Sequence, residues 1–134
     1  MLDIDIYVEC SSSAPKQMQR RYGYVIQYGE KVVTGFGDIE GTGNQAYLQV
    51  LIDALKRFNK PARLQLWIPN HYVAGMLVNT IDAWHDNNWK NAKGEDVDQR
   101  WAELYGLLEM HEFAIVPGGH EYATWLKSEM KRGE

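Results

Sequence analysis

The chain has 134 residues, of which 45% are hydrophobic and 24% charged, and its formal net charge is −4; this length suits one domain, residues 1–134, with one core. No apolar run approaches the roughly 20 residues that cross a bilayer, and the acidic balance argues against nucleic-acid binding through bulk positive charge. Cys10 is the only cysteine, so an intramolecular disulfide is excluded and a reducing, cytoplasmic location is expected.

The first predicted strand has one apolar and one polar face. Ile4, Ile6 and Val8 alternate with polar or amphipathic residues, which predicts a strand with one buried side. Asp5 and Glu9 share the other side. A strand that is half charged would be unusual at the centre of a sheet unless its polar face met a functional site.

A hairpin follows this strand. Residues 22–28 and 31–36 are rich in β-forming side chains and are separated by Gly29 and Glu30, which predicts two antiparallel strands. Gly35 and Gly37 at the end of the second run are interpreted as turn glycines. They do not form a dinucleotide-binding fingerprint.

A helix is predicted between Asn44, a good N-cap, and Pro61, which stops it. Apolar residues recur at helical spacing between them: Leu48, Leu51, Ile52, Leu55 and Phe58. The later predicted elements are a strand over 64–68, a short apolar helix over 73–81, a protruding loop or short helix over 84–96, a helical face from Trp101 to His111, a strand over 113–116 and a helix over 121–132.

The predicted element order is βββαβααβα. Three consecutive strands followed by alternating helices indicate an α/β protein with a mixed sheet, antiparallel at one edge and parallel inside, flanked by helices.

Several segments resemble type 1 ribonuclease H. Residues 41–48, Gly-Thr-Gly-Asn-Gln-Ala-Tyr-Leu, are similar to the family's Thr-Thr-Asn-Asn-Arg-Met-Glu-Leu, and residues 69–73, Pro-Asn-His-Tyr-Val, to its Asp-Ser-Gln-Tyr-Val. Residues 84–90 resemble the two-tryptophan stretch that leads into the family's substrate-gripping handle, and Trp101 and His111 fall at the family's spacing. The resemblance covers nearly the whole chain and implies the ribonuclease H fold, with a five-stranded mixed sheet.

The resemblance also implies a chemistry that this chain supports poorly. The family cleaves RNA in RNA–DNA hybrids with two Mg²⁺ ions held by four carboxylates. Carried over position by position, those carboxylates fall on Glu9, Tyr47, Pro69 and Thr124, and Glu9 is the only acid among them. A lone carboxylate is too little charge for two divalent ions, so no metal and no cofactor are expected. A single-metal site built from Glu9, His120 and Glu121 is a weaker alternative.

Other family positions imply contacts to nucleic acid. The candidate binding residues are Thr42, Asn44, His71, Trp84, Trp89 and Lys90. Each also has a structural interpretation: helix capping for Asn44, an exposed first helical turn for His71, and core packing for the tryptophans. The handle of this chain, residues 87–98, is acidic, because Lys90 and Lys93 are outnumbered by Glu95, Asp96 and Asp98. Its grip on a hybrid should therefore be weak.

Three functional hypotheses follow. The leading one is a pseudoenzyme, a ribonuclease H-like domain with a degenerate active site that binds nucleic acid (an RNA–DNA hybrid or a duplex) or a nucleic-acid-processing protein. The second is an active ribonuclease H that uses Glu9 with Mg²⁺ or Mn²⁺ in an unconventional site. The third is a protein-interaction or structural module. The sequence does not indicate the oligomeric state.

Overall fold

The first strand, β1 (Leu2–Cys10), lies at the centre of a five-stranded mixed sheet in the computed structural model, which describes residues 1–133. The sheet order is β3-β2-β1-β4-β5. β1 pairs antiparallel with β2 and parallel with β4, and β4 pairs parallel with β5. The other strands are β2 (Met18–Tyr28), β3 (Lys31–Gly41), β4 (Ala62–Ile68) and β5 (Glu112–Pro117). The predicted mixed α/β sheet is therefore confirmed.

Within residues 1–133, five helices flank this sheet. They are α1 (Gly43–Leu55), α2 (His71–Asn79), α3 (Ile81–Asp86), α4 (Arg100–Leu108) and α5 (Ala123–Arg132). The predicted order contained two helices between β4 and β5, whereas the structure has three, because the apolar segment breaks at Thr80 into α2 and α3. α1 also ends at Leu55, so Phe58 packs against the core from beyond the helix. None of the helices in residues 1–133 is long and apolar enough to cross a membrane.

The main core lies between the sheet and α1. Apolar side chains of β1 and β4 face the buried stripe of this helix, and α2 and α4 extend the same layer. Its fully buried members include Ile6, Val8, Leu48, Leu51, Ile52, Leu66 and Leu104. The opposite face of the sheet carries a smaller cluster in which α5 packs against β1 and β2.

The N-cap of α1 is Thr42, so the prediction that Asn44 caps this helix was wrong. The Thr42 hydroxyl accepts a hydrogen bond from the Gln45 backbone N–H, and the Gln45 side chain accepts one from the Thr42 N–H. This reciprocal capping box satisfies two backbone donors at once. A single Asn at position 44 cannot match it and lies inside the first turn.

Gly35 and Gly37 lie inside β3, so their interpretation as turn glycines was also wrong. Each is paired across the hairpin with a tyrosine, Gly35 with Tyr24 and Gly37 with Tyr22. A Cβ atom at either glycine would overlap the opposing tyrosine ring. The two glycines therefore make room for buried aromatic rings and do not end the strand.

Candidate functional site

The central feature of the site is a buried hydrogen bond between β1 and α1. The Tyr47 hydroxyl donates to Glu9 Oε1 at 2.5 Å, and the Cys10 backbone N–H donates to the same oxygen at 3.3 Å. Glu9 is 4% exposed and Tyr47 is 3% exposed. The structure thus brings together the first two positions that the sequence comparison had singled out, and it closes them off from solvent.

The chemistry of this pair is that of a donor and an acceptor. Burial raises the pKa of the Tyr47 phenol above its usual range, and Cys10 and Glu9 reinforce that shift. The phenol consequently remains protonated at neutral pH and donates to Glu9. Burial also raises the pKa of the neighbouring Cys10 thiol, so this thiol is not an activated nucleophile.

The other two positions add no acidic ligand. Pro69, between β4 and α2, has no side-chain donor atom, and Thr124 is an exposed residue in the first turn of α5. Within residues 1–133, no group of three His, Cys, Asp or Glu side chains is placed to hold a metal ion. Two Mg²⁺ ions need several anionic oxygen ligands, so the residues present do not fit the metal pair that the family resemblance implies.

The residues of the alternative single-metal site do not form a cluster within residues 1–133, and two of them have other partners. His120 Nε2 donates to the Val8 carbonyl oxygen at 2.9 Å, and its Nδ1 accepts from the Tyr122 N–H at 3.2 Å. This pattern corresponds to an imidazole with its proton on Nε2. Glu121 accepts a hydrogen bond from the Tyr7 hydroxyl at 3.0 Å. Neither side chain converges on the buried Glu9.

The predicted binding residues at the helix N-termini lie close together. The Asn70 amide donates to Asn44 Oδ1 at 2.8 Å, while the Asn70 oxygen caps α2 by accepting from the Val73 N–H. His71, the first residue of α2, is exposed beside this pair. Asn70 is not among the predicted binding residues, although an Asn directly before a predicted helix is a recognisable capping signal.

Three of the predicted binding residues lie in the handle or just before it: Trp84, Trp89 and Lys90. Their side chains are largely occupied by contacts within the protein. Trp84 is half-buried and packs edge-on against Trp101, with ring centroids 5.3 Å apart. Trp89 packs edge-on against Tyr105 at 5.5 Å. Lys90 forms an ion pair with Asp96 at 2.6 Å, which neutralises one of the few cations in the handle.

A shallow concavity connects the N-terminus of α1 with the handle. It has a volume of about 310 Å³, and Asn44, Tyr72 and Trp84 contribute to its wall. The Gln45 amide reaches across to Asp98 at 3.3 Å. The structure therefore places Asn44 and Trp84 in one concavity, and it adds Tyr72, an exposed aromatic that the sequence analysis had not selected.

Comparison with solved structures places this architecture in the ribonuclease H class. RNase H1 from the halophilic archaeon Halobacterium salinarum NRC-1 superposes with a TM-score of 0.64 at 19% identity, covering 98% of this chain and 99% of that one. LC9-RNase H1, a type 1 RNase H with the type 2 active-site motif, gives a TM-score of 0.72 at 15% identity. The match covers 99% of this chain and 72% of that one. At these identities the likeness shows the fold.

Sequence comparison then identifies the family. The RNase H family model matches residues 2–121, and the chain belongs to this family. The Ribonuclease H of Syntrophotalea carbinolica is 35% identical over 95 residues, which are 68% of this chain and 62% of that protein. The Ribonuclease H of Acetivibrio thermocellus is 34% identical over 100 residues, which are 71% of this chain and 67% of that protein. The chain therefore spans a little under two thirds of the first of these relatives.

Proposed function

We propose that this domain binds an RNA–DNA hybrid or a related duplex without cleaving it. The observation that carries the proposal is the buried hydrogen bond from Tyr47 to Glu9, formed by two side chains that are each at most 4% exposed. It occupies the one carboxylate that remains of the family's set, at the place where a metal ion would need it.

The hydrogen bond makes metal capture at Glu9 unfavourable. An ion would have to displace the Tyr47 hydroxyl and reach a carboxylate that is only 4% exposed. Mg²⁺ loses its water ligands reluctantly, and Tyr47, Pro69 and Thr124 offer no anionic oxygen in compensation. The proposal is that the former metal site has become part of the core.

The proposed binding surface is the region around the N-termini of α1 and α2. The Gly43, Gln45 and Val73 N–H groups there have partners within the protein. The attraction for phosphate therefore rests on the positive ends of the two helix dipoles. Thr42, Asn44 and His71 lie there, and the concavity leads from Asn44 to Trp84. A phosphate seated beside Asn44 and a sugar or base against Tyr72 would use surfaces that remain accessible.

The relatives supply the class of ligand. Both bacterial relatives are named Ribonuclease H. A foamy viral protease-reverse transcriptase with a similar fold was solved in complex with an RNA/DNA hybrid; its TM-score is 0.71 at 14% identity, covering 98% of this chain and 20% of that one. These observations support a hybrid as the first ligand to test.

The test measures cleavage and binding on the same labelled RNA–DNA hybrid. We expect no cleavage with Mg²⁺ or Mn²⁺, together with an affinity that falls as salt rises. Cleavage that is lost in Glu9→Gln would instead establish the active-ribonuclease hypothesis, whereas cleavage that persists in Glu9→Gln would indicate contamination.

A protein-interaction role is the second candidate, and one observation favours it. The Lys90–Asp96 ion pair removes a handle cation from phosphate binding, and the neighbouring acids repel a nucleic-acid strand. Affinity that is absent or insensitive to salt for hybrid, duplex and single strands, together with co-purification of a stable protein partner, would favour this role over nucleic-acid binding.

A further inference from the structure

A second concavity lies on the opposite face of the sheet, beside α5. It has a volume of about 480 Å³ and is lined by Tyr7, Trp67, Gly119, His120, Glu121 and Ala123. α5 packs against β1 and β2, and the concavity opens at the border between this helix and β4. We call it the aromatic recess.

The recess is built around a cluster of aromatic rings. Tyr7 and Trp67 stack with their centroids 5.4 Å apart and their planes at 20°. His120 and Tyr122 meet the Tyr7 ring edge-on at 5.2 and 4.9 Å. Tyr7 is buried, whereas Trp67 is only half-buried and forms the accessible wall.

One carboxylate, Glu121, lines the recess, and a second, Asp5, lies beside it as the acceptor of the Trp67 indole N–H. The Trp67 indole N–H donates to Asp5 Oδ1 at 3.0 Å, and the Tyr7 hydroxyl donates to Glu121 Oε1 at 3.0 Å. Both donors are neutral groups, and within residues 1–133 neither carboxylate takes part in an ion pair. The recess therefore combines aromatic surface with two acids that lack a positively charged partner.

This combination selects for positive charge. The face of an aromatic ring carries negative potential and attracts organic cations, most strongly when the ring is an indole. Donation of the indole N–H to a carboxylate adds to that potential. A phosphate group would be repelled by Asp5 and Glu121, so a nucleic-acid strand is not the expected occupant.

We propose that the aromatic recess binds an organic cation of the alkylammonium class, with Trp67 as the ring wall, Glu121 as the charged rim and Asp5 as the carboxylate that accepts the indole N–H. The occupant can be a small free cation or the alkylated ammonium group of a protein side chain, and both present the same chemistry. This inference does not depend on nucleic-acid binding, which is placed on the other face of the sheet.

The test compares choline with 3,3-dimethylbutan-1-ol, which has the same shape and no charge. The readout is the NMR signal of the Trp67 indole N–H, assigned by its absence in Trp67→Leu. We expect a saturable shift at millimolar choline and at least about tenfold weaker binding of the neutral analogue. Equal binding of both compounds, or no saturable shift with choline, would overturn the proposal.

Charge variants provide a second, independent measurement. Asp5→Asn and Glu121→Gln remove charge without removing packed atoms, and their binding is read from the methyl signal of choline itself, so they test the recess even if Trp67→Leu fails to fold. Each should weaken choline binding at least about threefold. Asp38→Asn, on the exposed edge strand β3, is the matched control and should leave choline binding unchanged. If both recess variants bound choline as the unaltered protein does, the assignment would be wrong.

One further arm distinguishes the source of the cation. N-acetyl-trimethyllysine methylamide carries the same ammonium group on a peptide-like stem. Binding about tenfold tighter than that of choline would indicate a protein side chain, and equal binding would indicate a free cation. Both interpretations apply only if choline binds more tightly than its neutral analogue, as the proposal predicts.

Discussion

Glu9 illustrates what a carboxylic acid requires when it lies inside a protein. Transferring a polar group from water into an apolar layer costs several kcal/mol unless hydrogen bonds replace its water contacts. Glu9 is surrounded by buried neighbours, and its Oε1 accepts from Tyr47 and from the Cys10 N–H. Tyr47 therefore stabilises the fold through its hydroxyl as well as through the burial of its ring.

The first prediction concerns that hydroxyl. Tyr47→Phe keeps the ring but leaves the Glu9 oxygen with only its longer hydrogen bond, which should lower the free energy of unfolding by about 1–3 kcal/mol. Urea denaturation measures the loss. Tyr122→Phe, which removes a half-buried hydroxyl from the Gln27 side-chain oxygen, is the control, with an expected loss of about 0.5–1.5 kcal/mol. A Tyr47→Phe protein as stable as the control would contradict a stabilising role for the pair.

His111 makes stability depend on pH. Its Nδ1 accepts from the Ala62 N–H, so the ring proton lies on Nε2, a buried atom that has no hydrogen-bond partner within residues 1–133. Burial lowers the pKa of His111 below its ordinary value near 6.5. The pKa of His111 is therefore lower in the folded state than in the unfolded state. The stability that the neutral His111 ring contributes is present above the unfolded-state pKa and is lost as the pH falls through the folded-state pKa.

The second prediction follows from that sign. His111→Asn keeps an acceptor for the Ala62 N–H but cannot titrate, so unfolding free energies measured from pH 7.5 down to about 5 should fall less steeply than in the unaltered protein. His71→Asn, at an exposed position, should keep the original slope. Identical slopes for the His111 variant and the unaltered protein would show that His111 does not contribute.

At the scale of elements, one buried arginine organises the loop that joins β1 to β2. Arg20 is 3% exposed. Its guanidinium donates to the carbonyl oxygens of Ser12, Ala14, Lys16 and Gly41. The same loop receives the first N–H of α1, because Gly43 N donates to the Ala14 oxygen at 3.1 Å. Arg20 thereby fixes the loop against the N-terminus of α1, where we propose that phosphate binds.

The third prediction tests this arrangement. Arg20→Lys keeps the charge but replaces a planar, multi-donor group with a single ammonium, which cannot reach all four oxygens. We expect a loss of about 1–3 kcal/mol of stability and faster amide exchange at Gly43. Arg21→Lys, at the adjacent half-buried position paired with Asp38, should change neither quantity appreciably. Unchanged exchange at Gly43 in Arg20→Lys would contradict the role assigned to this arginine.

At the scale of the whole molecule, charge distribution limits what the domain can bind. The net charge is −4, and the handle places Glu95 and Asp96 next to its two lysines. Each phosphate that a protein neutralises contributes about 0.9 to the slope of log affinity against log salt. The unaltered domain should therefore show a shallow slope and weak affinity.

The fourth prediction reverses the handle charge. Glu95→Lys combined with Asp96→Lys should raise hybrid affinity about tenfold and steepen the salt slope by about 2. Fluorescence anisotropy over a salt series measures both quantities. Glu30→Lys combined with Asp38→Lys makes the same change in net charge on the β2–β3 hairpin and should have a smaller effect. Equal gains from both pairs would mean that net charge, rather than the handle, controls binding.

Periodicity was sufficient to predict most elements of the fold. Two local patterns were enough: the alternation of Ile4, Ile6 and Val8, and the helical spacing of Leu48, Leu51 and Leu55. Both follow from the geometry of a single strand or helix, which does not depend on the rest of the chain. The errors arose where a second residue decides the role of the first, across the hairpin for Gly35 and within one helical turn for Thr42. Gly35 lies within a strand because Tyr24 needs its space, and Thr42 caps α1 because Gln45 completes the capping box.

By itself, the sequence determined that positions 47 and 69 carry no carboxylate, since no packing can turn Tyr47 or Pro69 into an anionic oxygen. Only the tertiary structure decided what those residues do instead. Tyr47 meets Glu9 across 38 positions of chain, and Tyr7 meets Glu121 across 114. Such contacts depend on how the strands and helices pack together, and side-chain spacing along the chain does not record that packing.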